Sequence, residues 1–496
     1  MTVGLSYKFA KDNGLVVLDL GDSARIGHLA EVKMTALVEA RRTLARPLVL
    51  EQLERGDFDR HLSEIYALAA MSSREVAEDF DRQDSIDSLL EDIPETADLL
   101  ASHNSAPAIR FVNGLIAEAV KLRGSDIHIE PFETTLSIRL RIDGVLQEIH
   151  SLPIKLAAML ASRIKVMARL DIAEKRVPQD GRISLSIGGR YVDIRVSLLP
   201  SQHGERVVLR LLDREQTHYD ISDLGMPPAM LVHFNEALLQ PNGIILVTGP
   251  TGSGKTTTLY AGLSSLNDRK RNILTIEDPV EYALEGVGQT QVNAKVGMSF
   301  AAGLRAILRQ DPDTVMVGEV RDHETAEIAV QASLTGHLVL TTVHTNSALG
   351  AITRLCNMGI PPFLLASSVK AILAQRLVRT LCHHCKAPAT PDSRTRTLLG
   401  LAANDDAHVC KPVGCPHCRG SGYLGRIGVY DLVVVDGRLR QMIHDSASEQ
   451  DMARHAYAHA DTLERSGLKL VAAGLTTLEE VLRVCTFSEG DADADL

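Results

Sequence analysis

The chain has 496 residues, which at roughly 150 residues per domain corresponds to about three domains. Apolar residues make up 45% and charged residues 23%, a globular balance that excludes wholesale disorder. The formal net charge of -11 argues against a protein built to grip nucleic-acid phosphates, and no apolar run reaches the roughly 18–20 residues of a membrane-spanning helix.

The first segment, residues 1–74, has helical patterning over Gly27–Leu44 and Phe58–Met71 and predicts a small helical N-terminal domain. Its opening residues carry no apolar secretory core, so a cytoplasmic protein is expected. Glu75–Asp98 then holds ten acidic residues against the single Arg82, which predicts a self-repelling, solvated linker over residues 75–104. In 105–212, Ala108–Lys121 has helical spacing, and LSIRLR (136–141) and VDIRV (192–196) alternate as half-buried strands do. Asp143-Gly144 is a turn signal, so this middle domain reads as mixed α/β with an antiparallel sheet. A polar stretch, 213–222, separates it from the last segment, 223–496. There Gly243–Val247, Ile273–Ile276, Thr314–Val317 and Leu338–Thr342 are apolar without clean alternation, and helical stretches lie between them. Strands buried on both faces read that way, so a parallel, doubly covered α/β sheet is expected.

The strongest chemical signal follows the first of those strands. Gly249-Pro250-Thr251-Gly252-Ser253-Gly254-Lys255-Thr256 fits GxxxxGK[ST], with Thr257 continuing into a helical run. Glycines let successive N–H groups turn towards phosphate oxygens at the positive end of a helix. Lys255 is then placed to neutralise β/γ-phosphate charge and Thr256 to ligate Mg²⁺, so a nucleoside triphosphate with Mg²⁺ is expected. Two other strands end in acids: Glu319 after TVMVG, and Glu277 after ILTI. Carboxylates at strand ends suit metal and water positioning, because ligands of open α/β sheets collect at that edge. His344 lies where a third strand meets its loop, although a lone His there serves structure as readily as chemistry.

Cys382-His-His-Cys385 and Cys415-Pro-His-Cys418 are two CxxC knuckles with 29 residues between them. Together they can complete a tetrahedral S₄ site for Zn²⁺, structural because no coordination position stays open. Independent thiols or redox pairs are the other readings. Arg305 and Arg309 stand at i and i+4 of a short helix before the Glu319 strand, where two guanidiniums repel unless an anion or carboxylate lies between them. Arg195 and Arg210 lie towards strand ends in the middle domain, with surface charge or carboxylate pairing as the plain alternative.

GPTGSGKTTT, ILTIEDPVEY, RAILRQDPDTVMVGEVRD and TGHLVLTTVHTN resemble the Walker A, Asp box, Walker B and His box of the secretion traffic ATPases. That family comprises type II secretion, type IV pilus and type IV secretion motors. The resemblance continues through RGSDIHIEPFE, RLRIDG and LDIAEKRVPQDGRISL upstream and LAQRLVRTLC and GRIGVYDL downstream. It covers about residues 105–485 and is nearest to the type II secretion branch; Asp431 stands where the family usually has Glu. The resemblance implies a homo-hexameric, RecA-like ATPase domain preceded by a PAS-like domain, with a tetracysteine zinc module at 380–425. It implies catalytic roles for Glu319, Glu277 and His344, and convergence of Arg195, Arg210, Arg305 and Arg309 on nucleotide phosphates. It also implies docking of the N-terminal domain on the cytoplasmic domain of an inner-membrane assembly protein, work on an inner-membrane platform protein, and no nucleic-acid partner. The function implied is ATP hydrolysis driving pseudopilus assembly and protein export from the cytoplasmic side of the inner membrane. Type IV pilus extension is the alternative, since the site residues alone do not separate the two. A nucleic-acid motor would want basic and aromatic channel residues, and aromatics are only 4%.

Overall fold

A computed structural model describes residues 13–20, 23–30, 32–44, 46–53, 58, 106–187, 190–213, 220–402, 408–458 and 460–485. The acidic stretch 75–98 and all but the first residue of the expected helix 58–71 lie outside them. Two compact units divide between Glu215 and Gln216. No helix among the described residues is long and apolar enough to cross a membrane.

In the first unit, strand β1 (Leu15–Leu20) pairs antiparallel with β2 (Ala24–His28), and β2 pairs parallel with β3 (Leu48–Gln52). The helix Met34–Leu44 joins β2 to β3. This corrects the expectation of a helical domain with a helix over 27–44. Ala24 and Ile26 are buried while Arg25 is exposed, a period of two, and that alternation makes the segment strand. Gly27 lies within β2, where a Cβ would stand 2.4 Å from Leu53 Cδ1. The small core holds Leu15, Val17, Ala24, Ile26, Ala36 and Ala40.

The same unit contains a six-stranded antiparallel sheet in the order β6-β5-β4-β9-β8-β7. Its strands are β4 (Gly124–Pro131), β5 (Thr135–Ile142), β6 (Val145–Pro153), β7 (Gln179–Ile187), β8 (Arg190–Ser201) and β9 (Gly204–Asp213). Asp143 and Gly144 both have positive φ, 50° and 84°, the backbone that a two-residue hairpin needs. The helices Ala106–Lys121 and Ala157–Ala168 pack on the apolar face, where Phe111, Leu115, Ile127, Leu160, Ile194 and Leu209 are buried. Alternate residues of β4, Asp126, His128 and Glu130, face the other way and are buried under arginines: Arg141 and Arg210 on Asp126, Arg139 and Arg206 on Glu130.

The second unit is built on a seven-stranded sheet in the order β12-β11-β13-β14-β10-β15-β18. The strands are β10 (Gly243–Thr248), β11 (Ile273–Glu277), β12 (Gly288–Gln291), β13 (Thr314–Val317), β14 (Leu338–Val343), β15 (Val369–Leu381) and β18 (Tyr423–Val434). Neighbours are parallel except β15 and β18. Ile244 and Leu246 enter one hydrophobic cluster and Ile245 and Val247 another, so β10 is covered on both faces. That double burial explains the absence of alternation in its sequence. Between β15 and β18 the chain makes a small antiparallel pair, β16 (Ala387–Ala389) and β17 (Val409–Lys411), which carries the cysteine knuckles.

Candidate functional site

Strand β10 runs straight into the glycine-rich loop, and the helix Lys255–Leu266 starts at its end. Gly249, Gly252 and Gly254 have φ of 147°, 80° and 87°, which side chains rarely tolerate. A Cβ on Gly249 would also strike Gln375 O at 2.4 Å. Lys255 is 8% exposed and its Nζ donates to Gly249 O at 2.8 Å and Pro250 O at 3.0 Å. Burial lowers its pKa to about 8, opposed by the nearby charge of Glu319. Ser253 Oγ is buried with no partner among the described residues, while Thr256 is exposed on the first turn of the helix. An orphaned hydroxyl, a side-chain-free cradle and a buried cation at a helix N-terminus fit a polyphosphate.

Glu319 follows β13, with its side chain 14% exposed, and pairs with Arg321 and with His344 Nε2 at 3.3 Å. His344 comes from the end of β14, the strand beside β10, and is 49% exposed. The parallel order β13-β14-β10 thus brings Glu319, His344 and Lys255 to one edge of the sheet. The loop after His344 is tied to the same edge, because Thr345 N donates to Thr248 Oγ1 at 3.0 Å. Glu277 is more deeply placed. Its carboxylate accepts from Thr275 Oγ1 at 2.5 Å, Gln289 Nε2 at 3.2 Å and the Tyr260 hydroxyl. Burial raises its pKa. Among the described residues its partners are these three, which join β11, β12 and the helix after the loop.

The arginines separate. Arg305 donates to Glu324 Oε1 at 2.7 Å, and Arg309 Nη1 to Arg305 O at 2.9 Å. Their helix, Phe300–Ile307, ends before Arg309, correcting the expectation that both share it; Asp311 with φ 51° and Pro312 stop it there. In the first unit Arg195 and Arg210 are direct cross-strand partners on β8 and β9, and Arg210 Nε donates to Asp126 Oδ1 at 2.9 Å. Sequence reading missed Gln375 and Arg376, two polar residues in the middle of the buried strand AILAQRLV. That incongruity was the available signal, since a buried polar group needs a partner.

The four cysteines converge at the tip of the β15–β18 pair. Their sulfurs lie within 4.8 Å of one another, at 3.9 Å for Cys382–Cys415 and 3.7 Å for both Cys385–Cys418 and Cys415–Cys418. Tetrahedral Zn–S bonds of about 2.3 Å place sulfurs about 3.8 Å apart, so this donor set fits Zn²⁺. Backbone N–H groups of Cys415 and Gly422 donate to Cys418 Sγ at 3.1 and 3.2 Å, which favours its thiolate.

Asp431 lies in β18, buried, and accepts from the Tyr457 hydroxyl at 2.7 Å. Burial pushes its pKa up to about 7, with the charge of Glu464 adding to the rise. The native state therefore prefers the protonated carboxyl. Its contribution is lost as pH climbs from the ordinary carboxylate range through about 7. Asp431→Asn should remove roughly 2–4 kcal/mol of this pH dependence. Thermal unfolding at pH 5.5 and 8 tests it, and equal pH slopes in both proteins would disprove the assignment.

Known proteins resemble this chain in sequence and fold. Residues 101–483 match the family described as Type II/IV secretion system protein, and residues 4–66 match a domain family of GSPII protein E. Type II secretion system protein E of Pseudomonas aeruginosa is 54% identical over 480 residues, spanning 97% of this chain and 96% of that protein. Type II secretion system ATPase E of Vibrio cholerae is 52% identical over 484 residues, with the same shares. Among solved structures, the ADP-bound pilus retraction motor PilT is 28% identical with a TM-score of 0.51, covering 75% of this chain and 96% of its own. The Legionella pneumophila ATPase DotB shares the fold at a TM-score of 0.56 and 20% identity, over 75% of this chain and 95% of its own. With its phosphate loop, its strand-end Glu319 and a match over most of its length, the chain belongs to the Type II/IV secretion system protein family and is an ATPase of the type II secretion branch.

Proposed function

We propose that the protein is the hexameric motor that couples ATP hydrolysis to pseudopilus assembly and protein export. The reading is carried by the shared edge of β10, β13 and β14, where Lys255, Glu319 and His344 meet. Lys255 and the residues Gly249–Thr257 bind phosphates, and Glu319 holds a water for attack. His344, at hydrogen-bonding distance from Glu319, orients that carboxylate. Glu277, through Tyr260, stiffens the helix that follows the loop. Mg²⁺, held through Thr256, would screen phosphate charge. Arg195, Arg210, Arg305 and Arg309 are read as carriers of positive charge for the phosphates, a role resting on the family resemblance. The tetracysteine cluster holds Zn²⁺ structurally. Residues 1–74 dock the motor on the cytoplasmic domain of an inner-membrane partner, and the motor acts on a platform protein there. The match of residues 4–66 to a GSPII protein E domain and the names of the similar proteins favour secretion over pilus extension.

The test is complementation together with turnover. Wild-type chain should restore secretion to a strain lacking its motor, and purified protein should release phosphate from ATP regardless of added DNA or RNA. Arg195→Ala and Arg210→Ala should each lower turnover by at least about tenfold, a floor well below the about 10³–10⁵-fold that a phosphoryl-transfer arginine can supply. Restored pilus extension without secretion would point to the alternative motor.

A further inference from the structure

Gln375 and Arg376 sit on β15, next to β10, immediately beyond the register pair Thr248–Ala374. They lie behind both ends of the phosphate loop, close to Gly249 and Gly254. Gln375 Oε1 accepts from Thr258 Oγ1 at 2.7 Å, and its Nε2 lies 2.7 Å from where a Gly254 Cβ would stand. Arg376 is 6% exposed, and its Nη1 lies 3.1 Å from where a Gly249 Cβ would stand. Its guanidinium donates to three carbonyls: Gln375 O at 3.0 Å, Asn346 O at 2.9 Å and Val484 O at 3.3 Å.

Each acceptor belongs to a different element. Asn346 is two residues past His344. Val484 ends the helix Leu478–Val484, whose last carbonyls lack helical partners and carry the negative end of the dipole. No carboxylate lies within ion-pair distance of Arg376 among the described residues. A buried guanidinium is expensive to desolvate; Glu464 acts on it only through space, and its direct bonds are to the three carbonyls that its fork geometry spans. A lysine could not span these acceptors in one plane.

We propose that Arg376 is a positioning residue for ATP hydrolysis, holding the phosphate loop and the His344 loop in one relation and tying both to the end of the helix Leu478–Val484. This rests on the reading that ATP is hydrolysed at Lys255 and Glu319. Arg376 itself touches no reacting atom. Its effect is on kcat, because a misplaced general base loses rate before binding is lost.

Full-length Arg376→Lys and Arg376→Met are compared with wild type by steady-state turnover, titration with a non-hydrolysable ATP analogue, and melting temperature. Both variants should bind the analogue within about threefold of wild type while kcat falls by about tenfold or more. Arg376→Lys should recover no more of kcat than Arg376→Met, since it restores charge without the fork. Lower melting temperature with unchanged kcat and KM would overturn the proposal, leaving Arg376 a role in folding alone. Should neither variant fold, hydrogen exchange of the wild type decides. Analogue binding should slow exchange in 344–349 and 478–485 together; protection of the phosphate loop without them would overturn the coupling and leave the ATPase reading standing. Folded wild-type protein that neither binds nor hydrolyses ATP would instead remove the ATPase reading, and the proposal with it.

Discussion

Glu319→Gln should bind ATP with near-normal affinity and lose turnover by about 10²–10⁴-fold, the range for a removed catalytic base. The structure gives the reason for the split. Among the described residues Glu319 makes no side-chain bond that holds the loop together; its partners are the side chains of Arg321 and His344. An amide of the same shape keeps the packing while removing the proton acceptor and the charge that faces Arg321, His344 and Lys255. Lys255→Ala should fail earlier, at binding, because Lys255 Nζ both carries the phosphate-facing charge and braces Gly249 and Pro250. Its alanine variant loses the cation and the brace together. Phosphate release measured beside analogue titration separates the two cases. Turnover at the wild-type rate in Glu319→Gln would mean another group activates water, and Glu277, bonded to Thr275, Tyr260 and Gln289, is not free to do so without breaking that network.

The parts of this architecture that the sequence displayed are those governed by local rules. Thr314–Val317 matches the expected strand end for end, because a fully buried strand is a run of apolar residues with polar stops. The glycine-rich loop was legible since its spacing and its strand–helix context are contiguous. The N-terminal segment misled because Gly27–Leu44 mixes periods of two and 3.6, and the strand Ala24–His28 is chosen by pairing with Leu15–Leu20 and Leu48–Gln52 rather than by its own pattern. Arg376 stood out only as a polar residue in a buried strand, and its partners were not legible for a related reason. Its three acceptors come from positions 346, 375 and 484, and nothing short of the folded sheet brings them together. Arg305 shows the opposite limit: the i,i+4 arithmetic raised a repulsion that Glu324, nineteen residues away, answers.

Removing the metal should unfold a corner of the molecule and leave the nucleotide edge standing. The cysteines close the tip of the β15–β18 pair, where Leu381 faces Tyr423 and Cys382 N donates to Gly422 O at 2.9 Å. That tip is stitched to the loop before the last helix, through Leu381 N on Leu475 O and Lys386 Nζ on Gly474 O, both 2.8 Å. Among the described residues of 382–422, α-helix and strand are limited to the short helix Ser393–Leu398 and two paired strands of three residues each, with Leu399 and Val409 packed on the main core. Zinc held by the four cysteines would therefore supply part of the folding free energy there, as it does in small metal-folded domains. Reduced protein should carry one zinc per chain, and Cys382→Ser or Cys415→Ser should lose it. The first unfolding transition should then fall by roughly 5–15 °C, several kcal/mol at about 2–4 °C per kcal/mol. A zinc that took part in catalysis would abolish turnover in the same variants at temperatures where they stay folded. A structural one leaves turnover within about threefold there, because Lys255, Glu319 and His344 are carried by β10, β13 and β14, and β10 meets β15 only over Val369–Ala374, away from the Leu381 end next to the cysteines. Elemental analysis finding no zinc in freshly purified, reduced protein would refute the assignment, whatever the melting curves did.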